Sequence, residues 1–259
     1  MTSLTSGLPD ISPTAHPFDV TYRVRIDDCD PTMTVTLAGV ARYLQDIAMD
    51  MIDQSPFGAT NPFWILRRNI IDVIEPITWP GDVDITRWCS ASSTRWVDMR
   101  QRITGTPAQT PFNPDVRPNG HIETESFCIN VTRDGRPARI TDDMLEDLNS
   151  GVTETRLRWH SMNPTDVPDD AATALFPLRA GDFDMFEHMN NAAYWHAVES
   201  QLTDHRDLLS RPHRAVIEYL KPVPITDHVT IRSATTDHGV SLWIFSDQVL
   251  CTTVTITAL

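Results

Sequence analysis

The sequence predicts an α+β fold made of two tandem copies of one unit, in which an antiparallel sheet wraps around a long helix. Three observations lead to this prediction. Alternating, β-branched segments are frequent, each half contains one long amphipathic helical segment, and the second half repeats the order of elements in the first. The 259 residues, of which 41% are hydrophobic and 22% charged, can bury a sizeable core.

The first unit is predicted over residues 18–150, after a flexible N-terminal segment over residues 1–17. The alternating segment FDVTYRVRID, residues 18–27, predicts the first strand of this unit. In TLAGVARYLQDIAMDMI, apolar residues recur every three or four positions, which predicts a helix over residues 36–52. Four further strands are predicted near 63–75, 82–92, 94–104 and 121–132, followed by a short acidic helix in TDDMLEDLNS.

The second unit is predicted over residues 173–259, after a proline-containing linker over residues 151–172. Its first strand is expected to end near Arg179. A helix is expected from Asn190 to Leu209, because apolar residues again recur at helical spacing. Three or four strands complete the unit, and the last of them, VLCTTVTITAL, is strongly β-branched.

The two units align with each other in two blocks. RIDDCDPTMTVTLAGVARYLQD aligns without a gap with RAGDFDMFEHMNNAAYWHAVES, so that Asp28 matches Asp182 at an offset of 154 residues (182 − 28). After the helix, Pro76 matches Pro222 at an offset of 146 residues (222 − 76). The simplest arrangement wraps each sheet around its helix and joins the sheets edge to edge, which protects two exposed edges. This arrangement is the double hotdog fold.

The composition restricts the function. A formal net charge of −14 argues against nucleic acid and anionic membranes as partners. No apolar run approaches the roughly 20 residues that span a bilayer, and the N-terminus lacks the pattern of a signal peptide, so a cytoplasmic location is expected. The four cysteines have no paired spacing and are expected to be reduced. Neither a metal-spaced His/Cys set nor a glycine-rich phosphate loop occurs, so no cofactor is predicted.

A cluster of polar residues precedes the second helix, in DFDMFEHMNNAAYWHAVE (182–199). The N-terminus of a helix presents unpaired N–H groups and a partial positive charge, which can bind a thioester carbonyl oxygen as negative charge develops on it. A nearby carboxylate can activate water or attack the carbonyl directly. Asp184 is therefore the predicted base or nucleophile, and His188 and Asn190 are predicted to orient the reacting groups.

Each of these residues also has an ordinary structural interpretation. Asn190 or Asn191 could cap the helix, and Asp184 could form an Asx turn. Tyr194 fits the core-facing side of the helix, and Glu199 fits a solvated helix charge. Because Asp, His and two Asn fall within eight positions, we favour a functional site.

The segment DMFEHMNNAAYWHAVE resembles the D-x-x-x-H-x-N-N-x-x-Y-x-x-x-x-E signature of hotdog acyl thioesterases. The duplicated length, with an intact signature only in the second half, resembles the plant-type fatty acyl-ACP thioesterases and their bacterial relatives. The resemblance implies hydrolysis of a fatty acyl-ACP or acyl-CoA by Asp184 and His188, without a metal. It makes Asn191 and Tyr194 candidates for substrate contact, and it places the acyl chain in the first unit, where Trp64 is a candidate lining residue.

The chain departs from the plant-type pattern at two places. Phe186 stands where the plant motif has Asn, and Pro222–Val223 fall where the plant enzymes carry a Glu–Cys pair. The first unit keeps Asp30 but has Thr34 in place of the histidine and Thr36–Leu37 in place of the paired asparagines. One active site per chain is therefore predicted, with a lapsed site in the first unit.

Other functions remain open on the sequence. A non-catalytic acyl-binding hotdog protein is one alternative. A hotdog dehydratase is another, although Asp184 and Met185 stand where its G-D-x-N-P-x-H loop has Asn and Pro. An acidic carrier protein needs a basic docking patch, for which Arg206, Arg211 and Arg214 are candidates. The chain is expected to act as a monomeric pseudo-dimer or as a homodimer.

Overall fold

The computed structural model describes residues 6–225, 228–236 and 239–259. Its strands are β1 (Phe18–Arg23), β2 (Trp64–Glu75), β3 (Gly81–Ser92), β4 (Trp96–Pro107), β5 (Gly120–Asn130), β6 (Ala172–Phe176), β7 (His213–Tyr219), β8 (Val229–Thr236), β9 (Gly239–Ser246) and β10 (Val249–Ala258). Its α-helices are α1 (Leu37–Gln54), α2 (Asp142–Leu148), α3 (Asn191–Glu199) and α4 (Arg206–Leu209). None of these helices has both the length and the apolar character that a bilayer crossing requires.

Ten strands in the described part of the chain form one antiparallel sheet, in the order β1-β3-β4-β5-β2-β7-β10-β9-β8-β6. The first five strands of the sequence therefore occupy one half of the sheet and the last five the other. A large antiparallel sheet with few helices confirms the predicted α+β class and fits a hotdog arrangement.

Helix α1 lies against the first half of the sheet. Its N-cap is Thr36, whose hydroxyl oxygen accepts a hydrogen bond from the Gly39 N–H at 3.0 Å. Its apolar face is buried at Val40, Leu44 and Ile47, and burying each such side chain contributes roughly 1.5–3 kcal/mol. The helix predicted over residues 36–52 is confirmed, and it ends two residues later, at Gln54.

Helix α3 is shorter than predicted. The prediction of one helix from Asn190 to Leu209 is wrong beyond Glu199. The Ser200 hydroxyl donates to the Ala197 carbonyl at 2.7 Å, and the Leu202 N–H donates to the Glu199 carbonyl at 3.1 Å, which tightens the chain into a 3-10-like turn. This turn directs Leu202 into the core, a 3-10 helix follows over Thr203–His205, and α-helical structure returns only in α4.

The loops at the entrances to α1 and α3 repeat one another in the structure. The loops that precede α1 and α3 have matching backbone hydrogen bonds at the offsets of 154 and 146 residues. Equivalent bonds run from Thr36 to Asp28 and from Asn190 to Asp182 (2.9 and 2.8 Å), and from Val35 to Ile77 and from Met189 to Val223 (2.8 and 2.9 Å). Each half therefore builds the entrance to its helix in the same way.

The two halves meet where β2 pairs with β7. Arg68 lies opposite Glu218 and Asp72 lies opposite Arg214, and all four are buried. The Arg214 guanidinium donates two hydrogen bonds of 2.6 Å to the Asp72 carboxylate. Arg68 Nη1 lies 3.6 Å from Glu218 Oε1, which is an ion pair without a hydrogen bond. The prediction that Arg214 belongs to an exposed basic patch is wrong, because this ion pair holds it inside the sheet.

The side of the sheet that faces away from α1 and α3 is covered by chain segments that lack regular structure. The Ser6 carbonyl accepts from Arg214 at 2.6 Å, and Asp10 pairs with Arg102 at 2.8 Å. In the predicted linker, the Asn163 side chain donates to the Val216 carbonyl at 3.0 Å. The N-terminal segment predicted to be flexible thus contacts the sheet from residue 6 onward, and residues 1–5 lie outside the described part of the chain.

Candidate active site

The loop before α3 is held together by Asp184. One carboxylate oxygen, Oδ1, accepts the N–H groups of Phe186 at 2.8 Å and of His188 at 3.2 Å. Glu187 closes the loop in the left-handed region, at φ +61°. Oδ1 of Asp184 therefore forms the Asx turn that the structural interpretation predicts. Among the described residues no hydrogen bond reaches Oδ2, which leaves this oxygen for a reacting group.

The loop before α1 has the same geometry. Asp30 Oδ1 accepts the N–H groups of Thr32 at 2.8 Å and of Thr34 at 3.1 Å, and also the Thr32 hydroxyl at 2.6 Å. Met33, the counterpart of Glu187, has φ +65°. The two aspartates thus share a structural role, and the loops differ in the side chains that surround them.

The N-terminus of α3 offers a hydrogen-bond donor next to this loop. Asn190 is the N-cap, and its side-chain oxygen accepts the Ala192 N–H at 2.9 Å. The neighbouring N–H of Asn191 has no acceptor among the described residues. Because the positive end of the helix dipole lies here, this N–H can stabilise an oxyanion.

The side chains around Asp184 are open to solvent. His188 is exposed, and its imidazole forms no hydrogen bond with a described residue, so only its backbone contacts Asp184. Met185 is 87% exposed and Phe186 is 59% exposed. These two apolar side chains form a rim beside the α3 N-terminus, where the plant-type motif has a polar residue.

Tyr194 and Trp64 are less exposed than the side chains of this loop. Tyr194 is buried, and its hydroxyl oxygen accepts the Val223 N–H at 3.2 Å, so it supports the segment that packs on the loop. Trp64 is half-buried, and its indole N–H donates to the Asn61 carbonyl at 3.1 Å. Since β2 and β7 are antiparallel, Trp64 lies at the same end of this strand pair as Val223.

A carboxylate from α3 occupies the N-terminus of α1. Glu199 Oε1 accepts the Ala38 N–H at 3.1 Å. Burial raises the pKa of this carboxyl group to about 7, although the hydrogen bond from Ala38 and the nearby Arg42 act in the opposite direction. The interpretation of Glu199 as a solvated charge is therefore wrong. Its position at the end of the signature is the one signal in the sequence that singles it out.

Arg42 and His196 lie beside Glu199. Arg42 Nε donates to Asp28 Oδ1 at 2.5 Å, and its Nη1 lies 3.3 Å from His196 Nε2. Burial, together with the positive charge of Arg42, lowers the pKa of His196 below its usual value. His196 is therefore neutral at neutral pH, and its 3.8 Å contact with Glu199 is not an ion pair under those conditions.

A surface cleft of about 540 Å³ lies away from both helix N-termini. It is lined by His16, Phe57 and the α2 carboxylates Asp143, Glu146 and Asp147. This concentration of negative charge would repel the phosphates of a phosphopantetheine carrier. No group of three potential metal ligands occurs among the described residues.

Comparisons with known proteins agree with this architecture. The family model of the acyl-ACP thioesterase N-terminal domain matches residues 15–148, and that of the C-terminal domain matches residues 166–252. An uncharacterized protein of Mycobacterium tuberculosis, found in two strains, is 38% identical over 212 residues, which are 82% of this chain and 80% of the relative.

Three solved structures share the fold along almost the whole chain. An oleoyl thioesterase of Lactobacillus plantarum superposes with a TM-score of 0.74 at 19% identity, over 96% of this chain and 100% of its own. An acyl-ACP thioesterase of Bacteroides thetaiotaomicron gives 0.71 at 13% identity, over 93% and 97%. The 12:0-ACP thioesterase of Umbellularia californica gives 0.63 at 16% identity, over 97% and 98%.

Proposed function

This chain belongs to the acyl-ACP thioesterase family and is a thioester hydrolase, and we propose that it cleaves fatty acyl thioesters at one site, at the N-terminus of α3. Its substrate is an acyl-ACP or acyl-CoA, and the products are the free acid and the thiol. We place the reaction in the cytoplasm, in fatty acid metabolism. The observation that carries the proposal is that Asp184 Oδ2 and the N–H of Asn191 both lack a hydrogen-bond partner among the described residues.

We propose that the scaffold is a double hotdog, with residues 18–150 and 173–259 as its two units. The matching helix entrances support this assignment, as does the sheet with five strands from each half. A single chain then provides the helix pair that a simpler hotdog protein obtains by dimerisation, so it can act as a pseudo-dimeric monomer or associate further as a homodimer.

In the proposed reaction, the thioester carbonyl oxygen approaches the Asn191 N–H, which stabilises the negative charge of the tetrahedral intermediate. Asp184 Oδ2 removes a proton from a water molecule, whose oxygen attacks the carbonyl carbon. The C–S bond then breaks, and the thiolate takes the proton from Asp184. Direct attack by Asp184, giving an anhydride that water hydrolyses, is the alternative path. His188 and Asn190 orient the attacking and leaving groups.

The acyl chain is proposed to extend into the first unit. Trp64 lies at the site end of β2, and it packs against a cluster of buried apolar residues under α1 and α2. The first unit contributes no second site, because Glu199 occupies the N-terminus of α1. Its role is to bind the substrate that the second unit cleaves.

Asp184→Asn tests the site directly. The amide oxygen can still accept both backbone N–H groups, so the loop should fold with a loss of at most about 1 kcal/mol. The basic oxygen is removed, so turnover should fall by at least about 10²-fold. Release of thiol from a panel of acyl-CoA and acyl-ACP substrates, followed with a thiol-reactive dye, measures this.

Asp30→Asn is the matched control, since Asp30 accepts the same hydrogen bonds in the equivalent loop. It should leave turnover within about a factor of three, as expected of a change worth under roughly 0.7 kcal/mol. A folded and fully active Asp184→Asn variant would refute the proposed site, and an inactive Asp30→Asn variant would move the site to the other half.

A further inference from the structure

Arg87 lies inside the first unit, between the sheet and α1. It is on β3, on the same side as Ile85, which belongs to the core, and it lies opposite Gln101 of β4. Only 7% of Arg87 is exposed. A guanidinium is thus buried on the side of the sheet that faces the core. A purely apolar acyl chain bound there would have no group for it to bind.

The charge of Arg87 has no partner among the residues that the structure describes. Its Nε and Nη1 atoms are buried without a hydrogen bond, and no described carboxylate forms an ion pair with it. Arg68, Arg100 and Arg214, by contrast, each face a carboxylate. The thiols nearest to Arg87 do not compensate, because burial raises the pKa of Cys89 and of Cys128 to about 12 and keeps both neutral. Burying an uncompensated ion is costly, so a negative partner is expected.

Gln101, opposite Arg87, also has a buried donor without an acceptor among the described residues. Gln101 is fully buried, and its side-chain oxygen accepts the hydroxyl groups of Thr124 and Ser126. Its Nε2 is buried without an acceptor among the described residues. The unmatched atoms of Arg87 and Gln101 are therefore all donors, and the group that would satisfy them is an acceptor with negative charge.

The position of Arg87 fits the far end of a bound acyl chain. β3 is three strands from β2, and strands are about 4.8 Å apart, so the guanidinium lies on the order of 14 Å across the sheet from β2, level with Ile71.

We propose that Arg87 and Gln101 bind a carboxylate at the distal end of the acyl group, so that the preferred substrate is the half-thioester of a dicarboxylic acid. The inference rests on the proposed function for the thioester end of the substrate. The distal carboxylate would neutralise Arg87 and accept from Gln101, while the methylene chain packs against the apolar cluster between them and the site.

Binding of the free acids tests the carboxylate site without catalysis. Decanedioic acid should raise the Tm of the full chain by at least about 3 °C more than decanoic acid, since the ligand that binds the folded state more tightly stabilises it more. Arg87→Met should abolish this difference. Arg102→Met is the matched control, because it removes an arginine of β4 that faces the opposite side of the sheet, and it should preserve the difference.

Turnover tests the same site in the substrate. The wild-type protein should hydrolyse decanedioyl-CoA, as the half-thioester, with a kcat/KM at least about tenfold above that for decanoyl-CoA, because a site built to bond a polar group discriminates against its absence. Arg87→Met should reverse this preference, and Arg87→Lys, which keeps a charge but not the fork of donors, should lie between the two.

Equal Tm shifts for the two acids in the wild-type protein would overturn the inference, and this comparison needs no variant to fold. A shift of the same size with sodium sulfate would also overturn it, in favour of an inorganic anion. If decanoyl-CoA is hydrolysed but Arg87→Met leaves both preferences unchanged, the inference fails and the thioesterase function stands. If no thioester is hydrolysed but the Tm difference depends on Arg87, the carboxylate site stands and the proposed function fails.

Discussion

Replacing Glu199 with Gln should stabilise the protein at neutral and alkaline pH. The carboxylate is half-buried between the two helices, 23% exposed, where it accepts the Ala38 N–H at 3.1 Å. A Gln side chain keeps an oxygen for this hydrogen bond and has no charge to desolvate. The packing of α3 on α1 should therefore survive the change, and only the cost of burying a charge should disappear.

The size of the effect follows from the pKa of Glu199, which burial raises from 4.5 to about 7. A tenfold change in proton affinity is worth about 1.4 kcal/mol, so the full difference amounts to about 3 kcal/mol. Between these two pH values the folded state binds more protons than the unfolded state, and the free energy of unfolding therefore falls as pH rises. Below pH 4.5 and above pH 7 this contribution is constant.

Urea unfolding followed by tryptophan fluorescence measures the effect. Relative to wild type, Glu199→Gln should be about 3 kcal/mol more stable at pH 8 and close to equal near pH 4.5. Asp46→Asn is a suitable control, since it removes a more exposed carboxylate of the same helix pair, 39% exposed and paired with Arg25. If the difference between wild type and Glu199→Gln does not change with pH between 5 and 7, burial does not control this carboxyl group.

Two further substitutions test the framework around the site. Asp72→Asn leaves the buried Arg214 without its charged partner and should cost about 3–5 kcal/mol of unfolding free energy in the same urea assay; a loss below 1 kcal/mol would mean that the ion pair is not important at the junction of the halves. Asn190→Ala removes the cap of α3 and should cost about 1 kcal/mol, as should the equivalent Thr36→Ala at α1. Only Asn190→Ala should also reduce thiol release, and equal activity losses in both variants would contradict a single site.

Local patterns in the sequence were sufficient to predict most of the fold. Helix α1 is specified by an apolar face of four turns and a threonine cap, both of which are properties of the segment itself. The duplication is readable because the loops before the two helices keep the same backbone path, and this path keeps Asp30 and Asp184 at equivalent positions. Helical periodicity could not reveal the end of α3, because Leu202 keeps the apolar spacing although the chain turns at Ser200.

Contacts between distant segments were not predictable in the same way. Arg214 looks like a surface residue beside Arg211, and only the pairing of β7 with β2 places it on Asp72. Glu199 is followed by the polar Ser200 and Gln201 and resembles an exposed residue at a helix end. Only the packing of α3 on α1 brings it to the Ala38 N–H. In both cases the decisive partner is more than a hundred residues away, at a separation that no helical or strand period relates.

The two helix entrances explain why the half to which we assign no site also carries an aspartate in this loop. Asp30 and Asp184 each hold their loop through a single oxygen, so both stabilise their loops whether or not they react. What distinguishes the halves is the helix N-terminus beside each loop. At α1 the Glu199 carboxylate accepts from Ala38 and interacts with the N–H of Leu37, the counterpart of Asn191. At α3 the Asn191 N–H has no acceptor among the described residues. An Asp→Ala change would therefore disturb either loop without separating structure from catalysis. Asp→Asn preserves the oxygen that holds each loop and removes only the basicity that we propose for Asp184.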